Sequence, residues 1–152
     1  MSKLAVLHSA ETYVEEPGDL WTEGLPRRLR TKAFRLVPAA REYARAQRSG
    51  PNGDRDGFIW VRPNGRFLAN REEARRRDFD GTTARGLLAS LDRDGIGGAV
   101  LYPSVAAQAY SVWRQTGVLD TFLDVYNDWL LALAAEAPRR LRAIALLNVD
   151  DP

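Results

Sequence analysis

The chain has 152 residues, 45% hydrophobic and 28% charged, enough for one domain with a real core and too apolar for a disordered polymer. Its net charge of +2 does not call for a polyanionic partner, and no apolar run approaches the roughly 18–20 residues of a membrane span. The absence of cysteine excludes disulfides and thiolate metal sites, and fits a cytoplasmic protein.

Residues 4–7 are too short an apolar run for a signal-peptide core of about 7–15 residues. The arginines cluster at Arg27-Arg28 with Arg30, Arg75-Arg76-Arg77, and Arg139-Arg140 with Arg142. Acidic residues lie among these clusters and no nucleic-acid motif accompanies them, so they read as solvated faces and neither nucleic acid nor membrane is an expected partner.

Residues 4–10 form the expected first strand. Strict alternation places Val6, His8 and Ala10 on one face and Leu7, Ser9, Glu11 and Tyr13 on the other. Apolar residues on both faces suit a parallel strand covered on both sides. A loop with Pro17-Gly18 follows, then a short helix over 25–34 with Pro26 in its first turn. A second short helix is expected over 39–47. Residues 49–57 are turn chemistry, and 58–69 have the form of a β-hairpin turning at Asn64-Gly65. This hairpin is an insert of about residues 49–70, and 71–79 read as a charged surface helix or loop.

The remainder is more regular. Thr82 or Thr83 caps a helix over 84–94 that stops at Gly95. Residues 98–102 make a buried strand ended by Pro103. Helices are expected over 105–115 and 118–137, the second with Leu119, Phe122, Leu123, Tyr126, Leu130 and Leu133 in an apolar stripe. Pro138 ends it, and 143–149 read as a third buried strand. Strand, helix, strand, helix, strand is the pattern of a parallel sheet with right-handed crossovers. The fold class is therefore α/β.

His8 is the only histidine, which excludes a serine or cysteine triad and a histidine metal cluster within the chain. Alternation turns it away from Glu11, toward the packing helices, as a structural residue. Asn148 and Asp150 leave the third strand at its C-terminal end, with Asp150 a minor functional candidate. Tyr102 and Trp129 read as packing residues. The glycines at 95, 97 and 98 lie between helix and strand, the wrong order for a phosphate loop.

Several blocks occur together in one order. The segment Ser9-Ala10-Glu11-Thr12-Tyr13-Val14-Glu15-Glu16-Pro17-Gly18-Asp19-Leu20-Trp21 comes first, then Leu25-Pro26. Leu91-Asp92 with Gly95-Ile96 precedes Ala99-Val100-Leu101-Tyr102-Pro103. Tyr126-Asn127-Asp128-Trp129-Leu130 follows, and then Ala137-Pro138 with Arg140-Leu141 and Asp151-Pro152. In these blocks the chain resembles the N-terminal part of the amidohydrolase-related family of metal-dependent hydrolases. That branch contains aminocarboxymuconate-semialdehyde decarboxylase and the dihydroxybenzoate decarboxylases.

The resemblance implies a partial (β/α)8 TIM barrel, strands one to three with their helices and the inserted hairpin, with chemistry at the C-terminal strand ends. It implies a hydrolase or decarboxylase (a carboxy-lyase) acting on a small organic acid or amide, and a divalent metal of the zinc or manganese type. The family's first two ligand positions, an acidic residue or histidine and then a histidine, fall on Glu11 and Tyr13. Its other ligands follow strands five, six and eight, beyond residue 152. Glu16 is expected to support the loop.

A phenol with pKa near ~10 must lose its proton to ligate well, so Tyr13 is a poor substitute for histidine. No catalytic residue is assigned, and catalysis by this chain alone is not expected. Two outcomes follow: a second chain, or further copies of this one, completes the barrel, or the chain is a non-catalytic truncated homologue serving as an interaction subunit.

Overall fold

The computed structural model describes residues 7–38, 58–71 and 80–150. The chain divides into two compact units, one of Met1–Pro17 with Phe79–Pro152 and one of Gly18–Asp78.

In the first unit, β1 (Leu7–Tyr13), β5 (Ile96–Tyr102) and β6 (Leu141–Ala143) form one parallel sheet in the order β1-β5-β6. The helices between them are α2 (Ala84–Arg93), α3 (Ala109–Trp113) and α4 (Leu119–Ala135), with a 3-10 turn at Ala106–Gln108 ahead of α3. Successive parallel neighbours joined through helices are the expected α/β arrangement.

Local chemistry sets each boundary. The Thr83 hydroxyl accepts from Gly86 N at 3.1 Å and caps α2, as expected. Asp80 holds that cap, its Oδ2 accepting from Thr83 Oγ1 at 2.7 Å and its Oδ1 from Thr82 N at 3.0 Å. A side chain at Gly86 would place Cβ 2.1 Å from the Asp80 carbonyl oxygen, so only glycine fits. Gly95 takes φ +69° after the helix, the left-handed end that glycine favours. In α4, Leu119, Phe122, Leu123, Tyr126, Leu130 and Leu133 are all buried, as the stripe predicts.

Several expectations need correction. The third strand is not 143–149: its ladder spans Leu141–Ala143, and Leu147 and Val149 are 69% and 76% exposed. Side chains take over from the ladder. Asn127 Nδ2 donates to Leu146 O at 2.8 Å and its Oδ1 accepts from Leu146 N at 2.9 Å, doing the work of a neighbouring strand. Tyr110 Oη donates to Leu147 O at 2.5 Å. The helix expected over 105–115 is the 3-10 turn and α3 in succession, ending before Gln115 at φ +61°.

A further correction concerns His8. Residues 9 and 12 of β1 pair with 99 and 101 of β5, so β1 spends three residues where β5 spends two. This bulge inverts the alternation. Ser9 and Thr12 share a face, as the bond from Thr12 Oγ1 to Ser9 Oγ at 2.9 Å requires. Their register partners Ala99 and Leu101 are buried, as is Leu141, the partner of Ala99. Tyr13 pairs with Tyr102 and His8 with Gly98, and residues in one row point the same way. His8 therefore shares the exposed face with Tyr13, opposite to Ala99 and Leu101.

In the second unit, α1 (Leu20–Gly24) is followed by a 3-10 helix at Arg27–Lys32 and by β2 (Arg35–Pro38), β3 (Phe58–Val61) and β4 (Phe67–Arg71). These strands form an antiparallel sheet in the order β2-β3-β4. The expected hairpin is β3–β4, with Gly65 at φ +78° and the turn closed by Arg62 N to Arg66 O at 2.8 Å. The helix expected over 25–34 is the shorter 3-10 segment, and β2 was not anticipated. Arg30 draws the chain back onto α1, its Nε donating to Leu25 O at 3.1 Å and its Nη2 to Glu23 O at 3.0 Å. This satisfies carbonyls left open at a helix end. Trp21 packs edge-on against Phe34 at 5.4 Å and Trp60 at 5.5 Å. The helix expected over 39–47, the loop over 49–57 and residues 72–79 lie outside the described residues.

Candidate functional site

The C-terminal end of β1 is where sequence reasoning placed the chemistry. The bulge leaves Glu11 and Tyr13 on the same side, and the Tyr13 hydroxyl donates to Glu11 Oε1. That hydrogen bond, and then the negative charge of Glu11, hold the Tyr13 phenol above the ordinary tyrosine range. The phenol therefore keeps its proton at neutral pH and acts as a donor. Beside it, the Tyr102 ring lies 6.1 Å from the Tyr13 ring, tilted by 52°.

Glu16 has a different place. It is 1% exposed, and its carboxylate collects four donors from the chain after β5. Ser104 N (3.1 Å) and Ala106 N (2.9 Å) reach Oε1, while Ser104 Oγ (2.6 Å) and Val105 N (3.2 Å) reach Oε2. All the acceptor directions of a carboxylate are thus used. Glu16 supports the loop, as expected, and is no candidate ligand.

In the segment that follows β6, Asp150 is gripped by Arg114 through Nε–Oδ2 at 2.7 Å and Nη2–Oδ1 at 2.9 Å. These hydrogen bonds hold its carboxyl below the usual range. Asn148 Nδ2 donates to Asp120 Oδ1 at 2.8 Å. Asp150 and Asn148 are engaged in pinning this segment. Tyr102 is half-buried, placed by its register with Tyr13 rather than by core packing. Trp129 packs its ring 5.9 Å from Tyr126. Sequence reasoning missed Tyr102 as a partner of Tyr13; only the β1–β5 register reveals it.

These donors do not by themselves fit a divalent metal. A metal site needs about three or more deprotonated or neutral ligands converging on one point. Here Glu11 already accepts a proton donor and Tyr13 holds its proton. Among the described residues, no group of three or more His, Asp, Glu or Cys is placed to hold a metal ion. Among the same residues, no helix is long and apolar enough to cross a membrane.

No protein-family model matches the sequence, and no curated protein does. The chain is similar in fold to the crystal structure of an amidohydrolase from Mycobacterium avium subsp. paratuberculosis K-10, with a TM-score of 0.56 and 13% identity. The match covers 99% of this chain and 45% of that one, so the chain spans less than half the length of that amidohydrolase. At this identity the likeness establishes fold alone. The three parallel strands and their helices have the fold of part of a TIM barrel.

Proposed function

We propose that this chain forms the N-terminal part of an amidohydrolase-like hydrolase or carboxy-lyase acting on a small organic acid or amide. Its active site would be completed by strands beyond those present here. The observation that carries this reading is the pairing of Glu11 with Tyr13 at the C-terminal end of the first parallel strand, where barrels of this kind place their chemistry. The role given to this chain is to hold a carboxylate and a phenolic donor at that end. Any divalent metal would take its main ligands from the completing strands. In domain terms, residues 1–152 would be one barrel portion carrying an insert with the β3–β4 hairpin.

The test is co-expression of this chain with a polypeptide encoding strands four to eight. A complex that hydrolyses or decarboxylates, and loses that activity in Glu11→Ala, supports the proposal. Absence of any complex, or full activity from the isolated chain, contradicts it.

A non-catalytic role, as an interaction subunit completing a barrel with another chain, has its own support. One oxygen of the Glu11 carboxylate is already taken by Tyr13, and His8, Glu11, Tyr13 and Arg142 are solvent-exposed. A complex that forms with no dependence of activity on Glu11 favours this role.

A further inference from the structure

We propose that Glu11, Tyr13 and Tyr102 form a binding site for an organic cation, an alkylated ammonium group. The site stands on β1 and β5 alone and goes beyond the hydrolase reading above. Tyr13 and Tyr102 are register partners on adjacent parallel strands. Their positions are locked by Val14 N donating to Tyr102 O at 3.0 Å. The rings are 6.1 Å apart and open at 52°, so they do not stack on each other. Tyr13 is 54% exposed, which leaves its ring accessible.

The charge is fixed beside these rings. Glu11 Oε1 accepts the Tyr13 hydroxyl, and among the described residues Oε2 has no hydrogen-bond partner. The same face also carries His8 and the positive group of Arg142. His8 is paired with Gly98, and Arg142 with Val100, two residues before Tyr102.

Two kinds of cation can be weighed against this geometry. A divalent metal is strongly hydrated and must find several hard donors to replace its water. One carboxylate with an oxygen already engaged does not supply them. An alkylated ammonium is weakly hydrated, needs only one counter-charge, and gains from aromatic faces within about 6 Å of its centre. Two tilted tyrosine rings and one anchored carboxylate supply both requirements.

The full chain is titrated with tetramethylammonium chloride at constant ionic strength and followed by proton NMR of the tyrosine rings, with tert-butanol as the uncharged comparator and zinc chloride as the metal comparator. The expected result is saturable binding with a dissociation constant on the order of millimolar. Glu11→Gln and Tyr102→Leu each weaken it by about tenfold. Glu11 is exposed, so Glu11→Gln keeps the fold and carries the test even if Tyr102→Leu unfolds. No saturable shift, equal binding of tert-butanol, or indifference to Glu11→Gln overturns the proposal. Micromolar zinc uptake that depends on Glu11 also overturns it, in favour of a metal site.

Discussion

Glu16 and Ser104 lie 88 residues apart in the chain and are joined twice, Ser104 N to Oε1 at 3.1 Å and Ser104 Oγ to Oε2 at 2.6 Å. With the Val105 and Ala106 amides, this carboxylate ties the exit of β1 to the exit of β5. Removing it leaves buried N–H groups without acceptors, which costs more than the bonds themselves contribute. Glu16→Ala should lower the unfolding free energy by about 3 kcal/mol, measured by urea denaturation. Glu16→Gln should cost less, because the amide keeps one acceptor oxygen. An unchanged denaturation midpoint in Glu16→Ala would contradict this role.

The Asn127 carboxamide replaces a strand partner for Leu146 through bonds of 2.8 and 2.9 Å. Asn127→Leu keeps a similar volume and deletes both bonds. The expected loss is about 1–2 kcal/mol, with faster hydrogen exchange at the Leu146 amide and little change in β5. Equal exchange at Leu146 in both proteins would show that the ladder alone holds this segment.

The grip of Arg114 on Asp150 makes the segment pH-dependent. The folded pKa of Asp150 lies below its unfolded value, chiefly through hydrogen bonds from Arg114. Its contribution is therefore present above the ordinary carboxylate pKa of about 3.9 and is lost as pH falls through the lowered value. Amide exchange at residues 146–150 should quicken below about pH 4 beyond its intrinsic pH dependence. In Asp150→Asn the segment should exchange quickly at neutral pH and lose that acid step.

Tyr126 offers a change that should not destabilise. Its ring is fully buried and, among the described residues, its hydroxyl has no hydrogen-bond partner. Burial first, and then the charge of Glu16, push the phenol far above its ordinary range, so it stays neutral. Tyr126→Phe keeps the ring and removes a desolvated, unpaired group, so the melting temperature should hold or rise. A fall of several degrees would reveal a bond from this hydroxyl that stabilises the fold.

The parts of the fold that local chemistry dictates were legible in the sequence. Thr83 and Gly95 bound α2, Asn64-Gly65 turns the hairpin, and the Leu119–Leu133 stripe buries α4, each through interactions within a few residues. What was missed depends on contacts distant in sequence. The bulge in β1 is a matter of register against β5, and it moved His8 to the face of Glu11. The shortening of β6 comes from Asn127 and Tyr110, which outcompete the ladder for an apolar stretch that otherwise reads as strand. β2 needs β3 beside it, and its four residues carry no periodicity of their own. Glu11 and Tyr13 were named from the family resemblance, whereas the bond between them, and the place of Tyr102 beside them, required the paired strands.

The open edges of the parallel sheet give the most direct test of the barrel reading. Hydrogen exchange is compared for the isolated chain and for its complex with a polypeptide supplying strands four to eight. The account predicts that amides of Leu7–Tyr13 and of residues 141–149 gain strong protection in the complex, while central β5, already paired on both sides, changes little. Formation of no complex, or a complex that leaves both edge segments exchanging as before, would contradict it.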